Sequence, residues 1–404
     1  MSETQTAVIH HRTIFDDWRS ISIAIYMALA GYTVMVGIPV ISTAWVELLG
    51  FTEVQVGRIA GADLGGFSLG AVLVAPFVAK VNRRLLVVAA AIVVVAGNGM
   101  CMVMTSYEET LWLRFIAGAG SGTFTAVAVA TLAGTSKPAR AFNILLFSFA
   151  FSQGGELWLL PKLSMNEIYL FFIATYVVGL MFLRWLPPRP VDKSLDVEVD
   201  TESTAGHQVT HMHVPASVPW LVLAAVLFTY LNIGAYWTYI ELASANSEAD
   251  PDWVGQMLVY TSVFSVIGCA CATLISNRFG LARPLLVTLV AQACIVAMLA
   301  GGINNINVMI SMFAFNFCWI FVDVYQSATI ANVDHSGRFA ALLPGAQGLG
   351  QIIGPNLAAS ILALGLGYGS IFIMCAIASL IGFLIYLFMY LRLRRIIPAL
   401  ADAS

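Results

Sequence analysis

The chain has 404 residues, 59% of them hydrophobic and 10% charged, with a mean hydropathy of +0.86 and a formal net charge of -3. That composition lies far outside the range of soluble domains and reads as an integral membrane protein. Its partner is a lipid bilayer, and nothing in it is built for nucleic acid.

Apolar runs of about 20 residues, long enough to cross a ~30 Å hydrocarbon core, recur along the whole length. Twelve are expected, at about 20–43, 56–79, 84–105, 110–133, 142–161, 166–186, 218–243, 254–276, 284–303, 306–331, 339–364 and 369–391. No cleavable signal peptide is expected, because residues 1–19 are polar and the first apolar run is too long for an h-region. The first span then acts as the anchor.

Sixteen of the nineteen Lys and Arg fall on one side of this arrangement: Arg12, Arg19, Lys80, Arg83, Arg84, Lys137, Arg140, Arg184, Arg189, Lys193, Arg278, Arg283, Arg338, Arg392, Arg394 and Arg395. Short basic loops stay on the cytoplasmic side, which predicts cytoplasmic termini and a plasma (inner) membrane location. The opposite loops carry Glu47, Glu53, Glu108, Glu109, Glu248, Asp250 and Asp252.

The expected organisation is a tail at 1–19, a six-helix bundle at 20–186, a linker at 187–217, a second bundle at 218–391 and a tail at 392–404. The linker is rich in proline and acid, as flexible connections are. Its His207, His211 and His213 read as solvated, since nothing completes a metal site. The six cysteines lie in predicted spans and read as small buried hydrophobes.

The two halves echo one another at an offset of 198 residues, which carries Arg140 onto Arg338 and Tyr32 onto Tyr230. Parallel repeats of this kind imply two bundles related by an axis along the membrane normal, with a solute site between them near the midplane.

The loop Ala75-Pro76-Phe77-Val78-Ala79-Lys80-Val81-Asn82-Arg83-Arg84 resembles a worn copy of the signature between spans two and three of the major facilitator superfamily. Ala79 replaces its usual Asp and Asn82 its usual Gly. The second copy, Asn277-Arg278-Phe279-Gly280, has Asn in place of the acid. In that family the loop helps latch the inward side through charge pairs, so a latch here would use other contacts. Span four resembles the family's fourth-span motif, with Arg114 followed by Gly118, Gly120 and Gly122, a pattern associated with proton coupling. Span five has Gly154-Gly155-Glu156 and lacks the Gly-Pro typical of drug/proton antiporters. The resemblance covers essentially the whole chain. It implies an all-α fold of twelve transmembrane helices in two pseudo-symmetric six-helix bundles.

Asp63, Arg114 and Glu156 interrupt apolar runs, where a charge is expected only with a partner, water or a function. At ~1.5 Å per residue they lie ~10, ~6 and ~8 Å from the outer ends of spans two, four and five. The arrangement that the resemblance implies puts these three spans in one bundle, so an arginine bridging two carboxylates is expected, with one carboxylate left to take up a coupling proton and Arg114 to report its state or meet an anionic solute. A structural ion-pair network is the competing reading. At the 198-residue offset these positions become Thr261, Met312 and Gly354, so the charges are a one-sided addition to the repeat.

In span ten, Asn316, Trp319, Asp323 and Gln326 share a helical stripe. Lining of the central cavity is expected for them, with Asp323 a further proton-coupling candidate. Aromatic rings with polar tips suit an organic ligand. Tyr26 and Tyr32 of span one, with Tyr230, Asn232 and Tyr236 of span seven, are accordingly substrate-binding candidates. Trp237, Tyr239 and Glu241 are expected at the outer boundary or a gate. Gln347 and Gln351, one turn apart in span eleven, complete the candidates. Gly57, Gly61 and Gly65, and Gly118 and Gly122, are spaced for close helix packing.

No P-loop, zincin pattern or nucleophile motif occurs, and His10, His11, His207, His211, His213 and His335 all lie outside the spans. No enzyme, cofactor or metal is expected. The expected function is proton-coupled transport, by a monomer, of a small organic anion or an aromatic or amphiphilic compound. The alternatives are proton-antiport efflux of drugs or hydrophobic metabolites and, ranked below it, a non-transporting sensor.

Overall fold

The computed structural model describes residues 14–78, 80–136, 138–188, 215, 217–275, 278–333 and 338–396. Most of the expected linker and all six histidines lie outside these residues, as do Ala79 and Asn277.

Among the described residues there are twelve α-helices: α1 (Trp18–Leu49), α2 (Glu53–Val78), α3 (Arg83–Cys101), α4 (Tyr107–Ala133), α5 (Pro138–Leu159), α6 (Met165–Met181), α7 (Ser217–Ala245), α8 (Pro251–Ile275), α9 (Ala282–Ala297), α10 (Asn305–Val333), α11 (Arg338–Ala363) and α12 (Gly367–Ile396). Ten are long and apolar enough to cross a membrane. The protein is an integral, multi-pass membrane protein.

Local sequence sets the helix ends. Ser106 and Ser164 open α4 and α6 with capping boxes closed by Glu109 and Glu167, each satisfying two backbone donors that a helix start leaves free. Gly50 ends α1 with φ 70, a left-handed geometry natural to glycine.

In the first half α4 packs on α1, α2 and α3; in the second, α10 packs on α8 and α9, and α7 on α11 and α12. The halves meet where α2 lies on α11, α5 on α8 and α1 on α7. Advancing each helix by six exchanges the first two pairs and returns the third, as expected of a pseudo-twofold axis through the seam.

Glycine permits the closest of these approaches. A side chain at Gly66 or Gly70 of α2 would strike the α4 backbone at Phe115 or Ala119; one at Gly118 or Gly122 would strike α2 at Asp63 or Phe67. Gly57, Gly61 and Gly65 face across the seam to Tyr239, Asn356 and Ile352. The small residues thus bring backbones together where no hydrophobic drive between helices operates.

The basic loop before α3 stays within its own bundle. Arg83 donates to Thr131 Oγ1 at 3.0 Å, with its guanidinium over the Phe15 ring. Arg84 donates to the Leu186 and Arg184 carbonyls at 2.7 Å. These contacts hold α3 against α4 and the end of α6.

Candidate functional site

The helix ends near residues 186 and 217 define the linker face; the loops at Gly50 and Pro251 define the far face. Both ionic and polar groups cluster between them, but in separate places.

Arg114 is 1% exposed and anchored by three bonds. Its Nε donates to Asp63 Oδ2 at 2.7 Å, its Nη2 donates to the same oxygen, and its Nη1 donates to Asn98 Oδ1 at 2.6 Å. Asn98 in turn donates to the Val94 carbonyl at 2.9 Å. The rings of Tyr169 and Phe172 lie 6.0 and 5.8 Å from the guanidinium carbon. The unit thus sits inside the first bundle, between α2, α3, α4 and α6.

Glu156 does not join it, so the expected arginine bridge to two carboxylates is not formed. The Glu156 side chain is 6% exposed, accepts one bond from Ser152 Oγ at 2.7 Å through Oε1, and has a buried Oε2 without a partner among the described residues. Equal depth placed the three residues at one level; it did not give the direction in which each helix turns its side chain.

A second polar cluster forms in the other bundle. Tyr230 donates to Asp323 Oδ1 at 2.7 Å, and Gln347 donates to the same oxygen at 2.8 Å and to the Tyr230 hydroxyl at 3.0 Å. Asp323 is only partly buried, and its Oδ2 takes no hydrogen bond from the described residues. Tyr32, the repeat mate of Tyr230, lies across the seam within electrostatic reach of both. Its ring packs on Phe67 and Phe149, with centroids 5.7 and 5.9 Å away.

Other candidates have different surroundings. Tyr236 is buried in the second bundle, stacked on Phe315 at 3.8 Å, with its hydroxyl 2.9 Å from Ser311 Oγ. Tyr26 donates to the Thr175 carbonyl at 2.8 Å, joining α1 to α6. Gln326 donates to Thr229 at 2.8 Å. Asn232 is fully buried, and its amide has no partner among the described residues. Trp319 lies beside Trp237, with ring centroids 6.0 Å apart.

Across the seam, Ser265 Oγ donates to Gln153 Oε1 at 3.3 Å and Gln153 Nε2 donates to Asn316 Oδ1 at 3.4 Å, an oxygen that also lies 3.4 Å from Ser265 Oγ within the second bundle. Gln351 reaches Met35 Sδ at 3.5 Å. Trp237 donates to the Val36 carbonyl at 3.2 Å, and Tyr239 to that of Glu53 at 2.9 Å. Among the described residues these bridges run from mid-helix to the far face. There the bundles are drawn together.

Sequence reasoning missed the strongest of them. Arg58 donates to the Asn356 carbonyl at 3.0 Å, to its Oδ1 at 2.9 Å and to Ser360 Oγ at 2.9 Å, tying α2 to α11. Arg58 stands one turn from a helix end, where an arginine reads as snorkelling to an interface. Its spacing from Gly57 and Gly61, which open α2 to close approach, was the available signal.

Two repeated bundles, a polar cluster at their seam and, among the described residues, bridges that run from mid-helix to the far face make up a transporter scaffold. The Major Facilitator Superfamily model matches residues 23–355, and the chain belongs to that family. It is 24% identical over 345 residues to "Putative transporter AraJ" of Escherichia coli (strain K12), covering 79% of this chain and 83% of that one. In fold it is similar to the nucleoside transporter NupG, with TM-score 0.67, 13% identity and coverage of 92% and 98%. It is also similar to the POT family transporter PepTSo, with TM-score 0.70, 10% identity and coverage of 91% and 97%. It is a membrane transporter of this family.

Proposed function

We propose that the protein is a proton-coupled transporter of a small aromatic or amphiphilic organic solute, moved by alternating access around the seam at Tyr32, Tyr230, Asp323 and Gln347. Glu156 carries the coupling proton. The observation behind this is its environment: a buried carboxyl with one hydrogen bond, one partnerless oxygen and no ion pair. An ionised carboxylate so placed is costly, and a proton removes the charge. Loading and unloading that proton would give the helix two states of different hydration.

The far-face bridges support a conformation closed on that side. With the basic loops cytoplasmic, as their charge predicts, it is the inward-facing limb of the cycle, in a plasma membrane and with both termini inside. The organic-anion reading draws less support, because Arg114, which would meet the anion, is already bound to Asp63 and Asn98 and is 1% exposed. Efflux and uptake use the same parts.

Proteoliposomes enclosing a pH-sensitive dye test the proposal. Carboxylates, sugars, nucleosides and aromatic amines are added in turn. A solute that shifts internal pH with the wild type but not with Glu156→Gln supports it. If no class shifts the pH, or if Glu156→Gln retains the full shift, the proposal fails.

A further inference from the structure

Asp323 poses a charge problem that its neighbours do not solve. It stands on α10 between the linker face and mid-helix, at the seam. Tyr230 and Gln347 both donate to Oδ1. Oδ2 receives no bond from the described residues, yet it is not one of the buried, partnerless atoms, so it opens onto accessible space. Among the described residues the single Lys or Arg salt bridge to a carboxylate is the one between Arg114 and Asp63. Asp323 is therefore held and oriented without being neutralised.

Aromatic side chains stand near the cluster. Trp319 stands one turn away on α10 beside Trp237, and Tyr32 lies across the seam within electrostatic reach of the carboxylate. Phe149, which packs against Tyr32, also lines a cavity of about 170 Å³ at the α5–α8 seam with Phe147, Ser265 and Ile320. Ile320 is one turn from Asp323 on the same helix. A carboxylate oxygen with aromatic rings in its neighbourhood complements a cation, through a charge-assisted hydrogen bond and cation–π attraction.

We propose that the solute is an organic ammonium ion with an aromatic body, anchored by its N–H groups on Asp323 Oδ2 and flanked by Tyr32 and Trp319. Tyr230 and Gln347 act as positioning residues that fix the carboxylate. This rests on the transport reading above and names the class of solute for the same site; it assigns no proton to Asp323.

The test is an equilibrium binding measurement, independent of any gradient. The purified full chain in detergent is titrated with three compounds of matched ring and chain, namely 2-phenylethylammonium, 2-phenylethanol and 3-phenylpropionate, and with their naphthyl counterparts. Thermal stabilisation and tryptophan fluorescence are followed. The expected result is binding by the ammonium members alone. A hydrogen bond to a charged group contributes about 1.5–3 kcal/mol, so Asp323→Asn should weaken ammonium binding about tenfold or more. Tyr230→Phe keeps the charge and should weaken it less.

Head-group preference in the wild type needs no variant and stands even if Asp323→Asn fails to fold. Binding of the alcohol or carboxylate as tightly as the ammonium, unchanged ammonium affinity in Asp323→Asn, or no binding by any ammonium member overturns the inference. Failure of proton coupling shows separately, as an internal-pH response insensitive to Glu156→Gln.

Discussion

Arg114 places two of its five N–H donors on a single oxygen of Asp63, Oδ2, and a third on Asn98. That arrangement completes the ion pair inside one bundle and, with the side chain 1% exposed, keeps the remaining N–H groups out of a solute's reach. Breaking a buried pair strands a charge, at a cost of about 3–5 kcal/mol. Arg114→Ala should therefore lower thermal stability by that order, and joint replacement by Asp63→Asn and Arg114→Gln by clearly less. Unfolding of the three proteins in one detergent measures it; equal losses for the single and double variants would refute the closed pair.

The seam at the far face depends on Arg58 and on the missing side chains of Gly57 and Gly61. A Cβ at Gly61 would meet the Asn356 amide, and one at Gly57 the Tyr239 hydroxyl. Gly61→Leu should hold the far face apart, and Arg58→Ala should loosen it. A cysteine introduced as Gln351→Cys, in a chain freed of its native cysteines, should react severalfold faster with a membrane-impermeant reagent from that side in both backgrounds. Unchanged labelling would show that these contacts do not close the seam.

Tyr236 and Tyr230 lie on the same helix with different duties. Tyr236 hydrogen-bonds Ser311 in the bundle interior, and Tyr230 bonds Asp323 at the seam. A net hydrogen bond is worth about 1 kcal/mol, so Tyr236→Phe should cost about that in stability and leave solute affinity intact. Tyr230→Phe should change affinity. Paired melting and binding curves separate them.

Gly118 and Gly122 let α4 lie on the α2 backbone, at Asp63 and one turn further on at Phe67. Overpacking of a close contact costs about 1–3 kcal/mol. Gly122→Val should destabilise by that amount and also displace Arg114 from Asp63, so its loss and that of Arg114→Ala should not add. Full additivity in a double variant would contradict the coupling.

Much of the fold was legible because hydropathy counts residues and a bilayer fixes how many are needed. The expected spans fall on the twelve helices, although α1 continues to Leu49 and α6 stops at Met181. The glycine spacing also identified packing faces, since only a side-chain-free stripe allows backbones to touch. What a linear pattern does not hold is azimuth. Depth alone put Glu156 level with Arg114, but α4 packs tightly on α2 and α3, and it is Asp63 and Asn98 that face the arginine. The stripe in α10 was similarly one face in the sequence. In the fold Asp323 is at the seam, while Gln326 donates to Thr229. Arg58 was hidden because its partners are some 300 residues away.

Infrared difference spectroscopy of the purified protein across a pH titration addresses the coupling proton without a known solute. A protonated-carboxyl C=O band that appears and disappears with pH, and is missing in Glu156→Gln while surviving in Asp63→Asn, is the predicted result. A titrating band that persists unchanged in Glu156→Gln would contradict the assignment of the proton to Glu156.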